Sequence, residues 1–236
     1  MPLSGQRAPV LPQAGERGGE GFATALAGVV LAGGQSRRMG QDKALLCCVA
    51  QGRVSLLRRA ADSLRAICSE VWISCAAGRR HAGFDCVEDE PLPPVVRAEG
   101  RHDAGPLLGI ITCLARAARE GRQGVLVLPC DMPLLPERLL RDLINGAAQH
   151  PTALAVYYRT PGGWEEPLVG VYRCGALPAL REALLAGQCR VRAALPPEGK
   201  HLLPLSEAEH GLFANCNTPE QARALGVRAP SASEPG

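Results

Sequence analysis

The stretch that most constrains this chain is Gly28-Val29-Val30-Leu31-Ala32-Gly33-Gly34, a short apolar run, rich in valine, that stops at two glycines. Such a run between turn signals reads as a buried strand. After it, Leu56, Leu57, Ala60, Ala61, Leu64, Ile67 and Cys68 recur at helical spacing, and Val71-Trp72-Ile73-Ser74-Cys75 reads as the next strand. Strand, helix and strand in that order predict a βαβ unit. The alternation continues through strands at Phe84 to Glu88, Val125 to Leu128, Ala153 to Tyr158 and Leu168 to Tyr172, with helices over Leu107 to Ala118, Pro136 to Ala148 and Ala176 to Ala186. A short last strand is expected at Leu212-Phe213-Ala214, before Pro219 opens a final helix. The expected fold is α/β: a single-domain, Rossmann-like three-layer sandwich around a mainly parallel sheet.

At 236 residues the chain is long enough for one such domain, and 46% hydrophobic content with 3% aromatic residues makes its core aliphatic. Residues 1–25 and 227–236 lack periodicity and are expected to be disordered tails around a domain at 26–226. A net charge of +3 gives no general attraction to nucleic acid or membrane. No run of eighteen apolar residues occurs, and the N-terminus lacks a charged start followed by an apolar signal core, so a cytoplasmic location is expected. The ten cysteines include no Cys-x-x-Cys pair, and the five histidines show no ligand spacing with them. The cysteines read as small buried hydrophobes rather than as a zinc or iron–sulfur site.

The loop after the first strand carries the chemistry. Gly33 and Gly34 remove side chains and open positive φ, so that backbone N–H groups can approach phosphate oxygens. Arg37, Arg38 and Lys43 add guanidinium forks and an ammonium suited to phosphate and departing pyrophosphate. The spacing is neither that of a P-loop, since Ala44 follows Lys43, nor Gly-x-Gly-x-x-Gly. A solvated basic turn is the plainer alternative. Asp89 and Asp131 each follow a predicted strand, and both should reach the sheet edge of the glycine loop, where ligands of such folds bind. Few carboxylates combined with substrate phosphates suit Mg²⁺. Asp89 reads also as an ordinary turn or cap aspartate.

Leu31-Ala32-Gly33-Gly34, Arg38-Met39-Gly40 and Asp42-Lys43 together resemble the signature of the molybdenum cofactor guanylyltransferases. Related cytidylyl-transferring families more often carry Leu-Ala-Ala-Gly, so Gly33 leans toward the guanylyl branch. Pro129-Cys130-Asp131-Met132-Pro133 resembles the family's metal-binding Pro-Cys-Asp-x-Pro motif, and Asp89 matches an aspartate near the nucleotide. Gly105-Pro106-Leu107-Leu108-Gly109 resembles a segment beside the nucleobase, although a proline-opened helix explains it equally well. Glu166-Pro167-Leu168 and Arg190-Val191 resemble acceptor-side elements, and Asn215-Cys216-Asn217-Thr218-Pro219-Glu220 resembles the family's Asn-x-Asn-Thr-Pro-Glu element, whose two amides could ligate metal-bound water or hydrogen-bond the acceptor; Arg190 alone reads as a solvated charge, and Thr218 as a helix cap. Two departures stand out: Ser74 replaces an asparagine found in some members, and Glu90 to His102 is longer than the usual connection.

The resemblance implies a nucleotide-diphospho-sugar-transferase-like fold and transfer of GMP from GTP to the terminal phosphate of molybdopterin or Mo-molybdopterin, with release of pyrophosphate. It implies catalytic roles for Lys43, Arg38 and Asp131, with Mg²⁺ on Asp131. Nucleotide contacts would come from Leu31, Ala32, Gly33, Gly34, Lys43, Ser74, Asp89, Gly105 and Asp131, and acceptor contacts from Pro167, Leu168, Arg190, Asn215 and Asn217. Cofactor-insertion proteins and apo-molybdoenzymes would be its further partners. CTP-dependent transfer to the same acceptor or to another small phosphate, and a non-catalytic nucleotide-binding delivery module, are the alternatives.

Overall fold

The computed structural model describes residues 19, 21–33, 44, 46–48, 54–98 and 104–228. Strand β1 (Leu26–Leu31) is followed by the short strands β2 (Cys47–Cys48) and β3 (Val54–Ser55), helix α1 (Leu56–Arg65), β4 (Val71–Cys75), β5 (Asp85–Glu88), α2 (Pro94–Ala98), α3 (Pro106–Arg119) and β6 (Gly124–Pro129). The second half contributes α4 (Glu137–Gln149), β7 (Ala155–Arg159), β8 (Glu165–Arg173), α5 (Leu177–Leu185), β9 (Lys200–Pro204), α6 (Glu207–His210), α7 (Pro219–Ala224) and β10 (Val227–Arg228).

Seven strands form the central sheet in the order β5-β4-β1-β6-β8-β7-β9. β8 runs antiparallel to both neighbours and the other pairings are parallel. This is the three-layer α/β sandwich that the alternation of apolar runs implies. On one face α1 and α4 bury Leu57, Ala61, Leu64, Leu140 and Leu143 against Val30, Ile73 and Leu128; on the other, α3 and α5 bury Leu107, Ile111, Leu114 and Leu180 against Val29, Trp72 and Val127. Successive residues of β4 therefore serve opposite layers, as a strand covered on both faces must.

Local signals set the helix starts. Ser55 caps α1 by accepting the Arg58 N–H at 3.2 Å. Gly105 opens α3 at φ 56°, a conformation that favours glycine, and Pro106 occupies the first helical position.

Three expectations are corrected. Leu212 to Ala214 does not form a strand: Gly211–Phe213 is a 3₁₀ turn, and Phe213 is buried by packing edge-to-face on Tyr158 at 5.5 Å. An apolar run of three residues carries no period that could tell the two apart. The last strand of the sheet is instead β9, whose Lys200, His201 and Pro204 hide it from pattern reading and suit the edge position it holds. The packed structure also passes both expected tail boundaries. Ala23 is buried and Phe22 lies under the Arg173 guanidinium at 4.4 Å, while Val227 and Arg228 pair with Cys48 and Cys47 in a small β10-β2-β3 sheet.

Candidate active site

The parallel strands β1, β4, β5 and β6 end at one edge, and backbone bonds tie their ends together. Ala32 N–H donates to the Ser74 carbonyl at 3.0 Å, Asp89 N–H to the Cys75 carbonyl at 2.9 Å, and Cys130 N–H to the Leu31 carbonyl at 3.3 Å. The residues that follow these strands, Gly33, Asp89 and Asp131, are thereby gathered at the carboxyl edge of the sheet.

Gly33 serves close approach rather than a special φ, because its φ is not positive. A Cβ there would stand 3.3 Å from Ala76 N and 3.8 Å from Asp89 Oδ2, so the glycine lets β1 exit directly beside the Asp89 carboxylate. Ser74 faces inward. It is only 3% exposed, and its hydroxyl lies against Cys113 and against the bare Cα of Gly109 on α3. A Cβ on Gly109 would collide with Ser74 Oγ and come within 3.4 Å of Asp89 Oδ1. Gly109 is the site residue that sequence reasoning passed over, although it closes the Gly105-Pro106-Leu107-Leu108-Gly109 segment. Burial pushes the neighbouring Cys75 thiol up to about 12, so this cysteine is an inert filler beneath the edge.

Asp131 is half-buried just past β6, and its carbonyl accepts the Cys216 N–H at 2.8 Å. This bond brings Asn215 and Asn217, which flank Cys216, to Asp131. Their loop is pinned from the other side by α7, where Thr218 and Gln221 form a capping box and Gln221 Oε1 accepts the N–H groups of Asn217 at 2.8 Å and Thr218 at 3.1 Å.

Pro167 and Leu168 reach the same edge by a different route. Since β8 is antiparallel to β6, with Val127 opposite Gly170, its first half lies where β6 ends. Its pairing with β7 jumps from Tyr157 opposite Gly170 to Tyr158 opposite Glu166, so 167–169 bulge out of register. Proline, which cannot donate to a ladder, fits such a bulge, and bulges re-aim side chains beside active sites. The Tyr172 hydroxyl donates to the Pro167 carbonyl at 2.7 Å and fixes it. Burial raises the adjacent Glu166 carboxyl above its usual range.

Arg190 is exposed in the loop that leaves α5, its N–H bonded to Gln188 Oε1 at 2.9 Å, and the contacts that gather the other residues do not include it. Gly105 is exposed at the start of α3. The segment beyond β5 is held by Glu90, whose N–H donates to the buried Thr112 hydroxyl at 3.0 Å, and includes the short helix α2. Gly34, Arg38 and Lys43 lie outside the described residues.

Among the described residues no group of three acid, histidine or cysteine side chains converges as a metal cage. The oxygen donors present, Asp131 with amide side chains next to its partner Cys216, fit a hard cation that keeps few protein ligands and takes the remainder from phosphates and water, as Mg²⁺ does.

Residues 28–201 match the sequence model of the MobA-like NTP transferase domain. A relative from Synechococcus elongatus, named "probable molybdenum cofactor guanylyltransferase", is 32% identical over 202 residues, covering 84% of this chain and 97% of the relative. One of the same name from Pelotomaculum thermopropionicum is 34% identical over 198 residues, covering 81% and 87%. Among solved structures, molybdopterin-guanine dinucleotide biosynthesis protein A from Archaeoglobus fulgidus superposes with a TM-score of 0.63 at 19% identity, over 85% of this chain and 97% of that one.

Proposed function

The chain belongs to the MobA-like NTP transferase family, and on that premise we propose that it transfers GMP from GTP to the terminal phosphate of molybdopterin, or of its molybdate-loaded form. The observation that carries the reading is the gathering of Gly33, Asp89, Asp131 and the Asn215–Asn217 loop at one sheet edge, in a nucleotidyltransferase whose relatives are named for this activity.

The acceptor brings its own nucleophile, so no protein nucleophile is needed. A phosphate oxygen of molybdopterin attacks the α-phosphorus of GTP, the bond from that phosphorus to the bridging oxygen breaks, and pyrophosphate leaves with the electron pair. The protein contributes position and charge. Leu31, Ala32 and Gly33 present backbone to the nucleotide, with Gly34 next in the loop; Gly105 and Asp89 border it, and Ser74 supports it from below. Lys43 and Arg38 stabilise charge around the α-phosphorus and the leaving pyrophosphate. Asp131 would hold Mg²⁺, which supplies charge neutralisation across the phosphates when bound. Pro167, Leu168, Asn215 and Asn217 serve the acceptor, and Arg190 is assigned to the same side on the family resemblance alone. No helix among the described residues is long and apolar enough to cross a membrane. Action in the cytoplasm, with cofactor-insertion proteins and apo-molybdoenzymes as recipients, completes the proposal.

Pyrophosphate release by the purified protein with molybdopterin and Mg²⁺, compared across GTP, CTP and ATP with mass spectrometry of the product, tests it. Turnover selective for GTP with a guanylylated pterin supports the reading, whereas selectivity for CTP overturns it in favour of cytidylyl transfer.

A further inference from the structure

The chain has two tryptophans, and they have opposite fates: Trp72 is buried between layers, whereas Trp164 is 63% exposed. Trp164 nevertheless sits on a tightly bonded turn. In the β7–β8 hairpin, the N–H of Thr160 donates to the Trp164 carbonyl at 2.8 Å, the Trp164 N–H donates to Thr160 Oγ1 at 3.1 Å, and the Gly163 N–H donates to the Thr160 carbonyl at 2.9 Å. The indole carries the Arg192 guanidinium on its ring, 5.0 Å from the centroid. Both residues are anchored from below by one cation. Lys200, whose side chain is 9% exposed, donates to both Glu165 carboxylate oxygens at 3.1 and 3.2 Å and to the Arg192 carbonyl at 3.1 Å, while the Tyr157 hydroxyl donates to Glu165 Oε2 at 2.9 Å. A largely buried ion pair is a costly way to add stability and an effective way to hold two segments in fixed relation. Here the segments are the strand after Trp164 and the turn bearing Arg192.

The geometry points to Trp164 and Arg192 as an acceptor platform, on which the flat pterin stacks on the indole face opposite Arg192 while the guanidinium, at the ring's other face, pairs with its phosphate. The hairpin lies at the edge where β6 ends and Asp131 follows, because β8 is antiparallel to β6. An exposed aromatic on a hydrogen-bonded turn, with a planar cation over one of its faces, matches a planar heterocycle that carries a phosphate, and part of the ordering cost is met in the fold before binding. Glu165 and Lys200 are positioning residues beneath it. The assignment rests on molybdopterin being the acceptor, as proposed above.

The test is equilibrium binding of molybdopterin without nucleotide, with inorganic phosphate and GTP as control ligands, alongside kinetics in which acceptor and GTP are varied separately. Trp164→Ala is expected to weaken molybdopterin binding and raise the acceptor KM roughly tenfold, the scale of losing one stacked ring, with the GTP KM unchanged. Trp164→Phe should restore most of the loss. Arg192→Ala should weaken molybdopterin more than a dephosphorylated pterin. The platform is overturned if Trp164→Ala binds molybdopterin like the wild type, or if the acceptor and GTP KM values rise together. Trp164-dependent binding with CTP-selective turnover would retain the platform and reject guanylyl transfer; GTP turnover with an unchanged acceptor KM in Trp164→Ala would do the reverse.

Discussion

The N–H of Cys216 donates to the carbonyl of Asp131 at 2.8 Å, joining the loop before α7 to the turn after β6. The bond uses Asp131's backbone, so a change of its side chain leaves the junction intact. Asp131→Asn, which also keeps the side chain's shape, is therefore expected to remain folded while kcat falls by roughly 10²–10³, the scale of losing one preorganised electrostatic group. A circular-dichroism melt beside a pyrophosphate assay checks both halves, and wild-type turnover would remove Asp131 from the catalytic set.

Gly109 and Ser74 make a second pair whose effects are coupled. The Cβ of Gly109→Ala would occupy the space of Ser74 Oγ, and overpacking of this kind costs ~1–3 kcal/mol. Ser74→Ala removes the obstructing hydroxyl, so the double variant should recover much of the loss. Urea denaturation of both single variants and the double variant measures the coupling; strictly additive losses would mean that the two sites do not meet.

How much of this was legible in the sequence depended on where the cause lies. β1, α1, β4 and β6 carry their own periods, and the alternation alone implied a covered parallel sheet. The placement of Asp89 and Asp131 at the sheet edge was legible because each stands within two residues of a strand end. Gly109 was not, since its lack of a side chain has meaning only against Ser74, which a distant strand supplies. β9 was hidden because an edge strand bearing Lys200, His201 and Pro204 has no continuous apolar run. Gly33 is a related case: the sequence marks a position that wants no side chain, but whether for torsion or for room depends on Ala76 and Asp89 in space.

His150 and His201 stack with ring centroids 3.4 Å apart, and burial together with His150 holds His201 below its ordinary value of 6.5. In the pH range below that value the unfolded chain takes the proton before the folded one does. The contribution to stability is therefore full above about 6.5 and is lost as pH falls toward the folded pKa. Urea midpoints should drop between about pH 7.5 and about pH 5.5, and His201→Phe should show a smaller drop over the same interval. An equal drop in the variant would assign the pH dependence to other groups.

Gln221 links helix capping to the acceptor side. Its side-chain oxygen accepts from Asn217 and Thr218 while its own N–H donates to Thr218 Oγ1 at 3.3 Å, so one side chain both starts α7 and sets the backbone of Asn217. Gln221→Ala should cost about 1 kcal/mol of stability through the weakened cap. It should also raise the acceptor KM several-fold without moving the GTP KM, because the freed loop presents Asn215 and Asn217 less consistently. Gln221→Glu keeps an accepting oxygen at the same position and should restore both parameters. If stability falls while the acceptor KM stays constant, the loop keeps its geometry without Gln221, and the capping box serves the helix and not the site.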